Sequence, residues 1–309
     1  MKSHGRRTLL KAAAYTVAAC AAPRLSFGQR RATAPLAVTP LGAETILITG
    51  AGANVVAAAD ADGVVIVDGG LAENASALLE TVTEAFDGRP ARTLFNTHWH
   101  PEQTGANVAV AGAGGQIVSQ VNTRLWLGTD IHRPWEDFVH QPLPPEARPQ
   151  DTFYDSGADV ELAGKPLAYG HLLQAHTDGD CYVHFPQTNV LACGGVVAGD
   201  RWPLIDWWTG GWLGGLVEGI ETLLQVADAD TRIVPADGPV LTRAELAAQR
   251  DMYETLFVRF RDELLFKGLS PAEAVAAQPT AEFHPEWPNR DAFVTLAFQS
   301  LWGFFAPDV

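Results

Sequence analysis

The stretch Asn96-Thr97-His98-Trp99-His100-Pro101-Glu102-Gln103-Thr104-Gly105 decides how the rest of the chain is read. It follows an apolar run, Thr93-Leu94-Phe95, of the kind that ends a strand. Two imidazoles stand two residues apart. In an extended segment, residues i and i+2 point the same way. His98 and His100 then aim two ring nitrogens at one point, and Trp99 points away. That is half of a tetrahedral zinc site, and a catalytic zinc needs a third protein ligand plus one open position. The candidate third ligand is His176, in Gln174-Ala175-His176-Thr177-Asp178-Gly179-Asp180.

Other turns fall in order around these histidines. Val64-Val65-Ile66-Val67-Asp68-Gly69-Gly70 is a β-rich run closed by an Asp-Gly turn. Asn189-Val190-Leu191-Ala192-Cys193-Gly194-Gly195 is a second strand ending in glycines, and Ile233-Val234-Pro235-Ala236-Asp237-Gly238-Pro239 is a late turn. Together these segments resemble the metallo-β-lactamase superfamily over roughly residues 36–250. Its signature is His-x-His-x-Asp-His, followed by a later His before a Gly/Asp turn. The resemblance implies an α/β fold, a four-layer αββα sandwich, and a metal-dependent hydrolase.

Departures from the family pattern fall on one side of the implied site. The first metal's ligands, His98, His100 and His176, are complete. At the second, the family's Asp is Glu102, its neighbouring His is Gln103, its bridging Asp is Gly195 and its late His is Asp237. One zinc per chain is therefore expected, and a second metal is not. Zinc on three neutral imidazoles lowers the pKa of bound water toward 7, so hydrolysis by a metal-bound hydroxide is expected at an ester, thioester or lactone carbonyl. A β-lactam ring ranks below these. Two other uses stay open: a binding protein of the same fold that has lost turnover, and a single iron with redox chemistry.

Each further candidate has two readings. Glu102, with Gln103 beside it, either manages a proton at the metal or caps the helix that follows. Asp237 lies either on the pocket wall near Glu102 or is an ordinary turn aspartate. Asp68 and Asp178 are candidate acceptors for the ligands' far N–H groups, or plain turn residues. Arg201-Trp202-Pro203-Leu204-Ile205-Asp206-Trp207-Trp208-Thr209-Gly210-Gly211-Trp212 brings Trp202, Trp207, Trp208 and Trp212 close together. These rings line a substrate cleft or cover the core where C-terminal helices dock. Asp206 is expected to pair with Arg201 or Arg232. Cys181 and Cys193 face each other across a hairpin as a disulfide, or are two buried thiols, or Cys193 is a soft metal ligand.

Ahead of this domain, residues 1–28 read as an export signal. Arg6-Arg7-Thr8-Leu9-Leu10-Lys11 is a twin-arginine pattern, an Ala-rich apolar stretch follows, and Ser26-Phe27-Gly28 suits cleavage. A retained basic anchor helix is the other reading. Periplasmic residence is expected, with no stable membrane insertion after cleavage. Residues 29–35 read as a linker, 36–250 as the metallo-β-lactamase-like domain, and 251–309 as helices packed on that domain. The formal charge is −15, from 21 basic and 36 acidic residues. The signal holds Lys2, Arg6, Arg7, Lys11 and Arg24 and no acids, so its removal leaves 16 against 36, or −20. Such a surface repels phosphate backbones. The expected partner is a small-molecule substrate, not nucleic acid.

Overall fold

A computed structural model of the chain describes residues 35–157, 160–162 and 164–305. The expected signal peptide, and all of the linker but Pro35, lie outside the described residues. The first half runs β1 (Ala37–Gly42), β2 (Thr45–Thr49), β3 (Val55–Asp60), β4 (Gly63–Val67), α1 (Ala75–Ala85) and β5 (Ala91–Asn96). After the histidine loop come α2 (Pro101–Thr104), α3 (Asn107–Gly112), β6 (Gln116–Gln120), α4 (Val121–Trp126) and β7 (Asp151–Phe153). The second half holds β8 (Ser156–Gly157), the short pair β9 (Glu161–Leu162) and β10 (Lys165–Pro166), then β11 (Ala168–His171), β12 (Cys181–Phe185) and β13 (Val190–Ala192). It ends with α5 (Leu213–Val226), β14 (Arg232–Val234), α6 (Arg243–Arg259), α7 (Pro271–Ala276) and α8 (Arg290–Phe305).

Strands β1 to β7 form one sheet in sequence order, antiparallel up to β4 and parallel from β4 to β7. The second sheet has the order β14-β13-β12-β11-β8, with only β13 and β14 parallel. Strand alternation then assigns the layers. Val65 and Val67 of β4 meet Val183, Phe185 and Val190 of the second sheet in one buried cluster. Their neighbours Val64 and Ile66 face Leu78 and Val82 of α1 and Val110 of α3. On the far side, Leu191 and Ile233 face Leu216 and Ile220 of α5. Residues buried on both faces explain the unbroken run at 64–67, because a strand roofed by helices has no polar side. The four layers of the αββα sandwich are thereby present.

The C-terminal helices complete the outer layer. Phe293 and Phe298 of α8 and Tyr253 of α6 share one apolar cluster with α5. Thr242 and Ser270 open α6 and α7 with reciprocal capping boxes to Glu245 and Glu273, an arrangement that satisfies two otherwise unpaired N–H groups. α6 runs directly into a π-helical turn at Phe260–Leu265. Among the described residues, no helix is long and apolar enough to cross a membrane.

Register also settles the cysteines. Val183 pairs with Ala192 across β12 and β13, which puts Cys181 on the face toward the first sheet and Cys193 on the opposite face. The two lie in different apolar clusters and are free thiols. A side chain on each face of a sheet cannot bridge to the other. The disulfide reading is corrected accordingly. The Cys193 thiol donates to Leu191 O, 3.4 Å away, among apolar side chains, not to a metal position.

Candidate metal centre

β5 ends at Asn96, so the histidine pair sits on the bend that follows and not in an extended strand. This corrects the i, i+2 argument while keeping its outcome. The bend is cross-braced. Asn96 Nδ2 donates to Gln103 O and to Asn107 Oδ1, at 3.0 and 2.9 Å, and Gly69 N donates to Gln103 O at 2.8 Å. Cys181 N donates to Thr97 O at 2.8 Å and ties the bend to the second sheet. The rings of His98 and His100 meet edge to face with centroids 4.6 Å apart. Trp99 is buried, gives its N–H to Thr209 Oγ1 at 3.0 Å and sets its ring against His100.

His176 arrives from the loop between β11 and β12. Asp180 shapes that loop by accepting from His176 N at 2.6 Å, Thr177 N at 2.7 Å and Thr177 Oγ1 at 3.0 Å. All three imidazoles are buried, and each offers a ring nitrogen within 4.8 Å of the others. No other group of three or more metal-binding side chains this close occurs among the described residues.

The far nitrogen of each ring is held by an acceptor. His98 Nδ1 lies 3.1 Å from Thr97 Oγ1, which donates to both oxygens of Asp68 at 2.9 Å. His100 Nε2 lies 2.8 Å from Asp206 Oδ2. His176 Nδ1 lies 2.6 Å from Leu204 O. A neutral imidazole has one donor and one acceptor nitrogen, so a proton on each far nitrogen leaves His98 Nε2, His100 Nδ1 and His176 Nε2 as bare lone pairs facing inward. His100 Nδ1 and His176 Nε2 are 3.2 Å apart. Two nitrogens at about 2.05 Å from a tetrahedral zinc stand about 3.3 Å apart, so the donor set fits such an ion. Burial pushes the pKa of His98 and His100 well below the usual histidine value, helped by the neighbouring imidazoles at His98 and first by the Arg133 charge at His100, and burial takes His176 down to about 4. Ligands must be neutral to bind, and these are.

The expected acceptors divide. Asp68 reaches His98, but only through Thr97. It has φ 66°, a left-handed conformation unusual for a non-glycine residue, which lets its carboxylate also accept from Thr97 N at 2.8 Å. Burial raises its pKa to about 8. Asp178 instead accepts from Trp126 Nε1 at 2.7 Å, because the turn aims it at α4 and not at the imidazoles. Burial raises its pKa to about 6. Sequence reading gave Asp206 the wrong partner. It holds His100 and Arg133, while Arg201 pairs with Asp200 and Arg232 Nη2 donates to Thr188 O.

The imidazoles open into a cavity of about 910 Å³. Glu102, Gln103 and Asp237 line it. Glu102 sits in the first turn of α2, and burial raises its pKa, with the nearby Asp237 charge adding to that rise. Gln103 is buried and uses its carbonyl as the brace described above. Asp237 lies in a turn that pairs with Ala198 and is half-buried. At Gly195 a Cβ would come within 2.6 Å of His176 Nε2, so a side chain here would push the His176 ring out of its place.

Of the four tryptophans expected on the cavity, Trp202 alone lines it, and it also stacks on Phe293 of α8 at 4.8 Å. Trp208 is 45 % exposed, and Trp207 packs on Trp135. Trp212 stacks on Phe304 at 3.8 Å. The reason is Gly210-Gly211. Gly210 has φ 87°, and a Cβ at Gly211 would press on the His176 backbone. The chain passes tightly beneath the ligand loop and delivers Trp212 to the helices. The irregular excursion at 127–150 supplies the cavity's other wall through Arg133, Trp135, Glu136 and Phe138. In sequence, residues Trp126 to Asp151 are rich in Pro and read as an irregular excursion over one face.

The metallo-beta-lactamase superfamily model matches residues 48–256, more than half of the chain, and the chain belongs to that superfamily. Solved structures of similar fold include a metallo-beta-lactamase from Pontibacter korlensis, 20% identical, with a TM-score of 0.57 over 71% of this chain and 99% of that one. Another, from Hirschia baltica, is 16% identical, with a TM-score of 0.56 over 71% and 98%. FIM-1 from Pseudomonas aeruginosa, in a mono-zinc form, is 14% identical, with a TM-score of 0.56 over 72% and 96%. Nothing matches this chain among the curated protein sequences.

Proposed function

We propose that the chain is a periplasmic hydrolase that uses one zinc on His98, His100 and His176 to cleave an ester, thioester or lactone. The observation that carries this reading is the convergence of three inward lone pairs, each fixed by an acceptor behind its ring. Zinc held there supplies Lewis acidity toward water and toward a carbonyl oxygen. The family supports hydrolysis, and the mono-zinc relative supports single-metal occupancy of this fold. Gly195 supports it from this chain's own geometry.

Glu102 handles the proton. Burial raises the Glu102 pKa above the ordinary glutamate value, the direction that suits a carboxyl to proton transfer near neutral pH. Burial is the main cause of that rise, and the Asp237 charge adds a smaller push that the Arg133 charge opposes. The cavity wall formed by Trp202, Trp135 and Phe138 offers apolar surface to an acyl or alcohol group. β-Lactam hydrolysis ranks below ester, thioester or lactone cleavage.

The test is hydrolysis of a panel of neutral esters, thioesters and lactones by metal-free and zinc-reconstituted chain. Zinc-dependent turnover at one equivalent of metal is the expected result. Zinc bound without turnover on any of them would make the chain a binding protein. Retention of iron on purification without added metal would redirect the reading to redox chemistry. For export, Arg6→Lys with Arg7→Lys keeps the charge but removes the guanidinium pair, and uncleaved precursor should accumulate in the cytoplasm. Normal periplasmic accumulation would exclude the twin-arginine route.

A further inference from the structure

His100 Nε2, the nitrogen turned away from the other imidazoles, has two neighbours of opposite character. Asp206 Oδ2 lies 2.8 Å away and Arg133 Nη1 lies 3.1 Å away. Nη1 is also 3.2 Å from that same Oδ2. A guanidinium donates and never accepts. If Nε2 keeps its proton, it donates to Asp206, and Nδ1 presents a lone pair inward. If Nε2 loses its proton, it accepts from Arg133, and Nδ1 carries a proton inward instead. The two neighbours therefore favour opposite tautomers. Only the one that Asp206 favours can bind a metal.

Arg133 cannot swing out of this contest. It is 6% exposed, and its Nε donates to Glu136 Oε2 at 2.8 Å while Nη2 donates to Oε1. Its guanidinium lies over the rings of Trp99 and Trp135, at 5.2 and 5.8 Å. A reciprocal backbone pair between Ile131 and His140, at 3.0 and 2.9 Å, closes the base of its segment. Asp206 is equally fixed. It is fully buried and accepts from Thr209 N at 3.2 Å.

We propose that Arg133 and Asp206 are an opposed pair of positioning residues that sets the tautomer of His100, with Asp206 choosing the nitrogen that faces the metal and Arg133 holding Asp206 in place. The proposal rests on the three imidazoles being a metal centre. It has a consequence that simple structural support lacks. Once Asp206 is gone, Arg133 turns from a help into a hindrance, because it is then the hydrogen-bond partner left at Nε2.

The experiment is Co(II) titration of the metal-free full chain, read by visible absorption and by competition with a chelator, on folded protein checked by circular dichroism. Four proteins are compared: wild type, Arg133→Met, Asp206→Ala and the double variant. Outer partners of metal-binding histidines typically contribute about 10–100-fold in affinity. Arg133→Met should lose about 10-fold and Asp206→Ala about 100-fold. The double variant should bind about 10-fold more tightly than Asp206→Ala alone. Asp206→Leu, closer in size and without an acceptor, replaces the alanine variant if that one does not fold, with the same ordering expected. A double variant no tighter than the Asp206 single variant overturns the proposal. Wild type that binds no Co(II) removes the metal centre itself, and the proposal with it.

Discussion

The two walls of the cavity are built differently. On the imidazole wall, every candidate ligand has an acceptor behind it: Thr97 with Asp68, Asp206, and Leu204 O. On the acidic wall, Glu102 lies in the first turn of α2, Asp237 lies in a turn, and Gln103 braces the histidine bend through its backbone carbonyl. Residue type already separates the two, since three imidazoles face one and the other offers two carboxylates and an amide. The imidazole wall adds groups that fix each ligand's orientation, which is half of what makes a metal site. Any test that empties one wall and spares the other sharpens that contrast.

The largest effect belongs to the imidazole wall. Wild type dialysed against a weak chelator should retain one metal per chain, and His176→Ala or His98→Ala should retain none. Two zinc ions per wild-type chain would break the comparison outright, since the acidic wall would then also bind. Glu102→Gln comes next. It should leave zinc content unchanged and lower kcat/KM for any ester or lactone substrate about 10²–10⁴-fold, the usual contribution of a positioned acid or base. Glu102→Asp should fall between, being one methylene short. Wild-type rates in the Gln variant would return Glu102 to a helix-capping role, and lost zinc would move it to the ligand wall.

Thr97→Val probes the relay at a smaller scale. It removes the hydroxyl between Asp68 and His98 but keeps the shape. Metal affinity should drop about 10–100-fold with the fold intact. Unchanged affinity would show that His98 needs no acceptor and that the contrast between the walls lies elsewhere.

Much of this molecule was legible in its sequence, and the illegible part has a physical cause. The strands at 64–67 and 190–192, the caps at Thr242 and Ser270, and the three imidazoles all follow from short patterns, since each depends on neighbours a few residues away. Arg133 and the true partner of Asp206 do not. They meet across 73 positions of sequence, through a segment with neither helical nor strand period, and no local pattern registers such a contact. Trp212 failed for a related reason. Gly210 and Gly211 reverse the chain between two tryptophans that look equivalent on paper.

The smallest expected effect is also the one in which the two walls differ in sign. In the metal-free chain, burial lowers the pKa of His176 from 6.5 to about 4. Between those values the unfolded chain carries a proton on this residue and the folded chain does not. Stability therefore falls as pH drops through that window, by up to about 1.4 kcal/mol per pH unit. His176→Gln lacks this term, so its stability relative to wild type should rise as pH falls from 6.5 toward 4. Relief of His98 and His100 from the His176 charge acts in the same direction. Glu102 behaves the other way. Its folded pKa is raised above 4.5 by burial, so the folded chain holds the extra proton, and wild type gains stability as pH falls through the window above 4.5. Glu102→Gln should therefore lose ground relative to wild type over the same descent. Buried acids such as Asp68 and Asp180 also titrate, but they are common to all three proteins and largely drop out of the differences. Denaturant melts of the three metal-free proteins at several pH values measure both slopes. Parallel curves, or slopes of one sign, would mean that burial does not act on the two walls in opposite directions.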